Sequence, residues 1–265
     1  MKIETLRTER FPMDYFRFGY GGKNLVILPG LSLRSVMGAA EAIAEAYRPL
    51  EDRYTIWVFD RRGNLPEEYP VTEMAEDTAE ALHLLGLEKL CVFGASQGGM
   101  IALCIAVRHP ELVEKLVLGS SSARVEEAQY RVIEAWARLA EAGDRRGLCL
   151  AFGRDVYPPA VFEACRQLLL DTAASLTEEE LARFVILARG TRGFDLTAEL
   201  ERLRCPVLAI GVVEDEVLDS DATMEIAERL EQKPDFRLYM YAGYGHAAFD
   251  TAPDYKQRIL RFLEA

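Results

Sequence analysis

A serine between small residues is the most distinctive chemical feature of the sequence. Ser96 lies in the run GASQGG at 94–99, which directly follows the apolar segment 90–93 and opens the apolar segment 100–107. The first segment has the pattern of a buried strand and the second that of a helix. A tight turn from strand to helix can hold a serine with its hydroxyl exposed, and only small neighbours avoid clashes there. The run therefore predicts Ser96 as a nucleophile.

A nucleophilic serine needs a base, because its hydroxyl attacks poorly until a neighbouring group takes the proton. Histidine has the pKa best suited to this task, and the chain contains three. His83 lies within a helical pattern, where a structural imidazole is the ordinary expectation. His109 lies at the far end of the helix that Ser96 opens, about 20 Å away at ~1.5 Å rise per residue. His246, in a glycine-flanked loop after the last predicted strand, is therefore the predicted base.

A carboxylate is expected beside the second nitrogen of His246, because it would orient the imidazole and stabilise its charged form. Asp215 follows the predicted strand 206–210 and is the predicted acid. Asp60, at the end of another predicted strand, is expected to cap or pair with the turn that follows it. Three further carboxylates in the loop of Asp215 are open alternatives, and they are Glu214, Glu216 and Asp219.

Two backbone N–H groups are expected to bind the negatively charged oxygen that forms when a serine attacks an acyl carbon. The first belongs to Gln97, at the start of the helix after Ser96. The second belongs to Leu31, in the loop between the first buried strand and its helix. For Ser32 and Ser35 in the same loop, the commoner role is that of the N-cap residue.

Short apolar runs alternate with helical patterns along most of the chain. Such runs are typical of strands buried on both faces of a parallel sheet, and their alternation with helices indicates βαβ units. Residues 13–20 have the pattern of an exposed strand, and 236–241 that of a last strand. The predicted buried strands are 24–28, 54–59, 89–93, 115–118 and 206–210. The predicted helices are 35–48, 72–85, 97–108, 221–230 and 253–263.

The alternation stops between residues 125 and 203, where helical patterns occur without a buried strand. An insertion that leaves and re-enters at the carboxyl ends of strands would lie over the place where open α/β sheets bind ligands. The sequence therefore predicts a core formed by 1–124 and 204–265 and a helical cap, or lid, at 125–203. The candidate substrate-pocket residues in this cap are Trp136, Phe152, Tyr157 and Phe184.

The composition argues against several classes of partner. Lys and Arg number 31 against 43 Asp and Glu, which gives a net charge of −12. A surface of this sign repels phosphate backbones and anionic headgroups, so neither nucleic acid nor a membrane is expected as a partner. No segment has the apolar length of a signal peptide or a membrane span, and a cytoplasmic location is expected.

The cysteines and histidines predict neither a disulfide framework nor a metal site. Five cysteines are widely spaced without a Cys-x-x-Cys pair, and no two histidines lie at metal-ligand spacing along the chain. Buried, unpaired cysteines are expected. No cofactor is expected, and the expected partner is a small-molecule substrate.

These motifs together resemble the α/β-hydrolase superfamily over nearly the whole chain. The segment Pro29-Gly30-Leu31 is similar to the oxyanion loop, FDRRG at 59–63 to the Asp-x-Arg-Gly turn, and GASQGG to the nucleophile elbow. Residues 108–118 are similar to the family stretch after the elbow helix, and the order Ser, Asp, His is that of the family. The resemblance implies a mostly parallel eight-stranded sheet flanked by helices, with a helical cap inserted between strands six and seven.

The sequence departs from the family pattern at two places. Pro29 stands in the oxyanion loop where many relatives carry His-Gly, and residues 64–68 after the Asp-Arg-Arg-Gly turn replace the frequent Gly-x-Ser. Neither departure affects Ser96, Asp215 or His246.

Three functional interpretations follow from these residues. The first is hydrolysis of a carboxylic ester or a related small acyl compound through an acyl-enzyme intermediate. The second keeps the fold and the three catalytic residues but changes the reaction to that of a peptidase, a carbon–carbon bond hydrolase, an acyltransferase or a cofactor-free perhydrolase. The third is a non-enzymatic ligand receptor that retains the pocket.

Overall fold

Eight strands form a single sheet in the computed structural model, which describes residues 1–265. The strands are β1 Ile3–Arg7, β2 Pro12–Phe18, β3 Lys23–Leu28, β4 Tyr54–Phe59, β5 Leu90–Ala95, β6 Val113–Gly119, β7 Val207–Val212 and β8 Phe236–Tyr241. Their order across the sheet is β1-β2-β4-β3-β5-β6-β7-β8. The pairs β1–β2 and β2–β4 are antiparallel and the other pairs are parallel. The predicted mostly parallel eight-stranded sheet is therefore confirmed.

Ten α-helices connect or flank the strands. They are α1 Ala40–Tyr47, α2 Val71–Leu84, α3 Gln97–Arg108, α4 Glu127–Glu141, α5 Arg145–Val156, α6 Pro159–Ser175, α7 Glu178–Arg189, α8 Asp219–Arg229, α9 Ala248–Thr251 and α10 Tyr255–Glu264. No helix has the length and apolar character that a membrane crossing requires.

Helices cover both faces of the sheet, as the continuous apolar strands predict. Because successive side chains of a strand point to opposite faces, β3 contributes to two cores. Leu25 and Ile27 belong to the core under α1 and α10, whereas Val26 and Leu28 belong to the core under α2 and α3. The central strand β5 is buried at every residue, and α3 is buried at every residue but its last. The turn between them therefore joins two fully packed elements, at the carboxyl end of a central strand.

Several elements differ from the sequence-based predictions. The strand predicted at 13–20 as exposed is β2, in which Met13 and Phe16 are buried in the two cores because the strand pairs with β1 on one edge and β4 on the other. The edge strand β1 was not predicted, because its residues alternate between exposed and half-buried and include three charged or polar side chains. The predicted helix 35–48 consists of a 3₁₀ turn at Val36–Ala39, α1, and a second 3₁₀ turn at Arg48–Leu50. Pro49 lies in the second turn, where a proline disfavours continuation of an α-helix.

Four helices, α4 to α7, lie between β6 and β7 in the chain. α4 packs against α5 and α7, and α5 packs against α6. The two chain segments that enter and leave this helical segment are hydrogen-bonded to each other. The N–H of Val125 donates to the carbonyl of Phe194, and the N–H of Leu196 donates to that of Ala123, each at 2.8 Å. The four helices are thus joined to the sheet through a paired, narrow connection.

Candidate active site

Ser96 lies in the turn between β5 and α3 in a strained conformation, with φ 52° and ψ −123°. Its N–H donates to the carbonyl of Gly119 at 2.8 Å, which fixes the turn against β6. The turn closes because the residues two before and two after Ser96 are glycines, which have no Cβ. A Cβ on Gly94 would lie 2.4 Å from the carbonyl oxygen of Gly98, and one on Gly98 would lie 1.9 Å from that of Leu28. The small residues of the run therefore hold the hydroxyl of Ser96 in place.

The structure brings Ser96, His246 and Asp215 together. The Oγ atom of Ser96 lies 2.9 Å from Nε2 of His246, and Nδ1 of His246 lies 2.8 and 2.9 Å from the two carboxylate oxygens of Asp215. His246 is only 3% and Asp215 8% exposed. An ionised carboxylate can only accept, so Nδ1 carries the proton and Nε2 is free to accept the proton of the Ser96 hydroxyl.

The Asp215 carboxylate also accepts hydrogen bonds from two backbone N–H groups, those of Val217 at 2.9 Å and Leu218 at 3.0 Å. Burial raises the pKa of Asp215, but the contact with His246 and these two donors lower it further than burial raises it. The net pKa lies below that of an ordinary aspartate. The carboxylate therefore stays ionised beside the imidazole at neutral pH.

The three alternative carboxylates of this loop have other positions. Glu214 accepts the N–H of Gly243 at 2.7 Å, and Asp219 accepts that of Ala222 at 3.1 Å. Glu216 is exposed to solvent. Of the four carboxylates, only Asp215 contacts His246.

The other two histidines lie away from Ser96. His83 is exposed near the end of α2, and His109 follows the last residue of α3. Nε2 of His109 lies 2.9 Å from the carboxylate of Glu76. Neither imidazole contacts Ser96, which the length of α3 predicts for His109.

The two predicted oxyanion donors, the N–H groups of Leu31 and Gln97, have no hydrogen-bond partner within the chain. Gln97 is the first residue of α3, where an N–H group has no carbonyl of its own helix to bind. The loop of Leu31 lies against the serine, since a Cβ on Gly30 would be 3.1 Å from Cβ of Ser96. Ser35 caps the 3₁₀ turn that follows, where its hydroxyl accepts the N–H of Met37. Both donors are thus free for a ligand near Ser96.

A buried arginine, which the sequence analysis did not identify as a site residue, joins the loop of Leu31 to the turn of Ser96. Nη2 of Arg61 donates to the carbonyl of Pro29 at 2.7 Å and to Oε1 of Gln97 at 3.0 Å. Arg61 is 7% exposed, and burial lowers its pKa to about 10, so it remains a cation at neutral pH. The only sequence signal for it is its place in the FDRRG turn.

Two further contacts connect the site to α7. The side-chain amide of Gln97 donates to the carbonyl of Leu187 at 2.7 Å. Asp60 accepts the N–H of Arg61 at 2.7 Å, which agrees with the expected pairing to its own turn, and also binds the guanidinium of Arg183. The helical segment is therefore held on the core by polar contacts next to Ser96.

A cavity of about 330 Å³ opens beside Ser96 and His246, and most of its lining is apolar. Three of the four predicted pocket residues, Trp136, Phe152 and Tyr157, line it. The prediction for Phe184 is wrong. This side chain is fully buried behind Phe152, with the two rings edge to face at 6.2 Å, because its helix turns that position toward the inside of the helical segment.

Comparisons with known proteins agree with this architecture. The sequence profile of the alpha/beta hydrolase fold family matches residues 23–253. The protein named "Putative carbamate hydrolase RutD" of Agrobacterium fabrum is 27% identical over 256 residues, which cover 93% of this chain and 97% of that protein. The structure of MGS-M2, an alpha/beta hydrolase enzyme from a Medee basin deep-sea metagenome library, has a TM-score of 0.87 at 19% identity and covers 99% and 98% of the two chains. The enol-lactonase from Burkholderia xenovorans LB400 has a TM-score of 0.84 at 15% identity, with 99% and 100% covered.

The two structural likenesses show the fold, and the family profile covers the whole stretch from Leu31 to His246 in which the predicted site residues lie. The chain therefore belongs to the alpha/beta hydrolase fold family and is a hydrolase.

Proposed function

We propose that the protein is a serine hydrolase that cleaves carboxylic esters with a small, apolar acyl group. The observation that carries this proposal is the chain of contacts from Ser96 through His246 to Asp215, with distances of 2.9 and 2.8 Å, at the wall of an apolar cavity. A serine, a base and an ionised acid in hydrogen-bond contact are what nucleophilic acyl chemistry requires.

The reaction follows from the position of each group. Nε2 of His246 takes the proton of Ser96 as Oγ attacks the ester carbonyl, and the N–H groups of Leu31 and Gln97 bind the oxygen that becomes negative. The C–O bond to the alcohol then breaks, and His246 gives its proton to the leaving oxygen. Water attacks the acyl-enzyme with His246 again as base, which releases the acid and restores Ser96. Asp215 stabilises the positively charged imidazole in both halves of the reaction.

We also propose that α4 to α7 act as a cap, residues 125–203, over a core formed by 1–124 and 204–265. The support is that α4 and α5 contribute Trp136 and Phe152 to the cavity, while the core contributes Ser96. A cap that supplies the apolar wall would exclude water from the acyl group and set the accepted chain length.

The cavity favours an uncharged acyl group over a small anion. Of its 28 lining residues 20 are hydrophobic, and one of the few charged ones is Asp250, whose pKa burial raises. Transfer of a carbamate ion into such a site would cost desolvation free energy and would place its negative charge near the carboxyl group of Asp250. An ester with an acyl chain of a few carbons meets neither penalty and buries apolar surface.

Hydrolysis of a carbamate is the second candidate, and its support is the name of the relative from Agrobacterium fabrum. The relationship is distant, at 27% identity. Ammonia release from ammonium carbamate, measured beside ester cleavage with the same protein, separates the two candidates.

The test is a series of p-nitrophenyl esters with acetyl, butyryl and octanoyl groups. We expect kcat/KM to be highest for butyrate, and Ser96→Ala to lower it by a factor on the order of 10⁴ to 10⁶. Ser220→Ala is the matched control, because Ser220 lies on α8 outside the cavity. Ester cleavage that survives in Ser96→Ala would refute the nucleophile. Labelling of Ser96 by a fluorophosphonate without turnover of any ester would instead indicate a ligand receptor.

A further inference from the structure

Two histidines and a glutamate from two separate segments of the chain meet on the surface opposite the active site. His83 lies near the end of α2, His109 follows α3, and Glu111 lies in the loop before β6. Nε2 of His83 is 3.6 Å and Nδ1 of His109 is 3.8 Å from the same carboxylate oxygen of Glu111. One ligand atom from each of the three residues lies within 4.8 Å of the others. We propose that these side chains form a binding site for a divalent transition-metal ion, with zinc as the representative ion.

Two of the three distances between ligand atoms are close to those that a bound ion would impose, and the third lies within 4.8 Å. Tetrahedral zinc with bonds of about 2.0 to 2.1 Å to nitrogen and oxygen places its ligand atoms roughly 3.4 Å apart. The two distances to Glu111 exceed this value by a few tenths of an ångström. The side chains of His83 and Glu111 are 47% and 59% exposed, so they can close around an ion by rotation without disturbing the core.

A second carboxylate prepares His109 for this role. Nε2 of His109 lies 2.9 Å from Glu76, so this nitrogen carries the proton and donates it to the carboxylate. Nδ1, which faces Glu111, then presents its lone pair. Metal-binding histidines usually have such a carboxylate on their other nitrogen, where it fixes the tautomer and raises the basicity of the ligand. Arg108 contacts the Glu76 carboxylate at 3.4 Å and is the neighbouring cation.

The donor set defines the class of ion. Two imidazole nitrogens and one carboxylate suit zinc, nickel, copper or iron rather than magnesium or calcium, which prefer oxygen ligands alone. Three protein ligands leave the fourth position to water.

The site is independent of the proposed ester hydrolysis. It lies at the opposite end of α3 from Ser96, about 20 Å away at ~1.5 Å rise per residue. An ion bound there would clamp the end of α2 to the loop after α3 and stabilise the fold. It would not enter the reaction at Ser96.

The experiment is a calorimetric titration of the tag-free, chelator-treated chain with zinc chloride. We expect one ion per chain, a dissociation constant at least 10-fold weaker in His83→Ala, and a loss of 10- to 100-fold in Glu76→Gln, as is typical when a carboxylate behind a metal ligand is removed. Glu179→Gln is the matched control and should bind like the wild type, because this exposed carboxylate on α7 is far from the site. Zinc should also raise the Tm of the wild type and not that of His83→Ala.

Either of two results would overturn the proposal. One is the absence of zinc binding by the wild type. The other is the same dissociation constant in the wild type and in His83→Ala, which would place the ion elsewhere. Since His83 is exposed, its loss should leave the fold intact, and circular dichroism checks this. The rate of p-nitrophenyl butyrate cleavage should not change in His83→Ala, so that failure of the metal site and failure of the hydrolase proposal give different results.

Discussion

Replacement of Arg61 by methionine should separate catalysis from stability. Its guanidinium is the link between the carbonyl of Pro29, in the loop of the proposed donor Leu31, and the side chain of Gln97, whose N–H is the other proposed donor. Methionine fills a similar volume but makes neither hydrogen bond. In Arg61→Met the loop of Leu31 loses its attachment to the turn of Ser96.

The effect on stability should be small because two large contributions oppose each other. Two hydrogen bonds from a charged donor are worth roughly 3 to 6 kcal/mol together. The pKa of Arg61 falls from 12.5 to about 10 on burial, which means that the fold disfavours its charge by about 3 kcal/mol. Its Nε atom also lacks a partner. The free energy of unfolding should therefore fall by no more than about 3 kcal/mol, which is the free energy of the two hydrogen bonds minus the cost of burying the charge.

The effect on activity should be large. If the N–H of Leu31 no longer faces the oxyanion, kcat/KM should fall by about 10² to 10³, the usual consequence of losing one such donor. Urea unfolding and cleavage of p-nitrophenyl butyrate measure the two quantities on the same preparation. Arg202→Met is the control, because this exposed arginine pairs only with Glu199. A folded Arg61→Met protein with kcat/KM within threefold of the wild type would refute the positioning role.

Three further predictions concern the carboxylate, the turn and the thiols. Asp215→Asn should lower kcat about 10⁴-fold. The pKa of Asp215 in the folded protein lies below the unfolded value near ~3.9, so the ionised carboxylate stabilises the fold above that pH. The wild type should lose this stability as the pH falls below that value, whereas the variant has no such stability to lose. Gly98→Ala should cost about 3 kcal/mol or more of unfolding free energy, since its Cβ would meet a backbone oxygen at 1.9 Å, whereas Gly38→Ala, with open space around it, should be tolerated. In native protein at pH 8, Ellman's reagent should react readily only with the half-buried Cys165, and in guanidinium with all five cysteines, because burial raises the pKa of Cys104 to about 12 and of three others to about 11. Equal reactivity of all five in the native state would contradict the described core.

The sequence was most informative where neighbouring residues decide the structure. The turn of Ser96 follows from the residue types at six consecutive positions, since only glycine, which has no Cβ, avoids the backbone contacts at positions 94 and 98. The buried strands were predicted because strands covered on both faces are continuously apolar. The edge strand β1 was missed because its residues alternate between exposed and half-buried and form no continuous apolar run.

Contacts between distant segments were decided only by the tertiary structure. Asp215 was the predicted acid, but three other carboxylates of its loop stayed open as alternatives by sequence, and the path of that loop's backbone turns Asp215 alone toward His246. The same holds for Arg61, whose partners lie 32 and 36 positions away. Phe184 shares a helical face with apolar neighbours, and the packing of α7 hides it from the cavity.

The three histidines show this division most clearly. Helix length alone determined that His109 lies far from Ser96, because the rise per residue of a helix is fixed. That His109 and His83, 26 positions apart, lie with ring centres 6.0 Å from each other follows from the packing of α2 beside α3. The spacing of residues along the chain determines distances within one helix or strand. Distances between elements are set by the order of the strands and the packing of the helices, and these depend on the free energy of the whole fold.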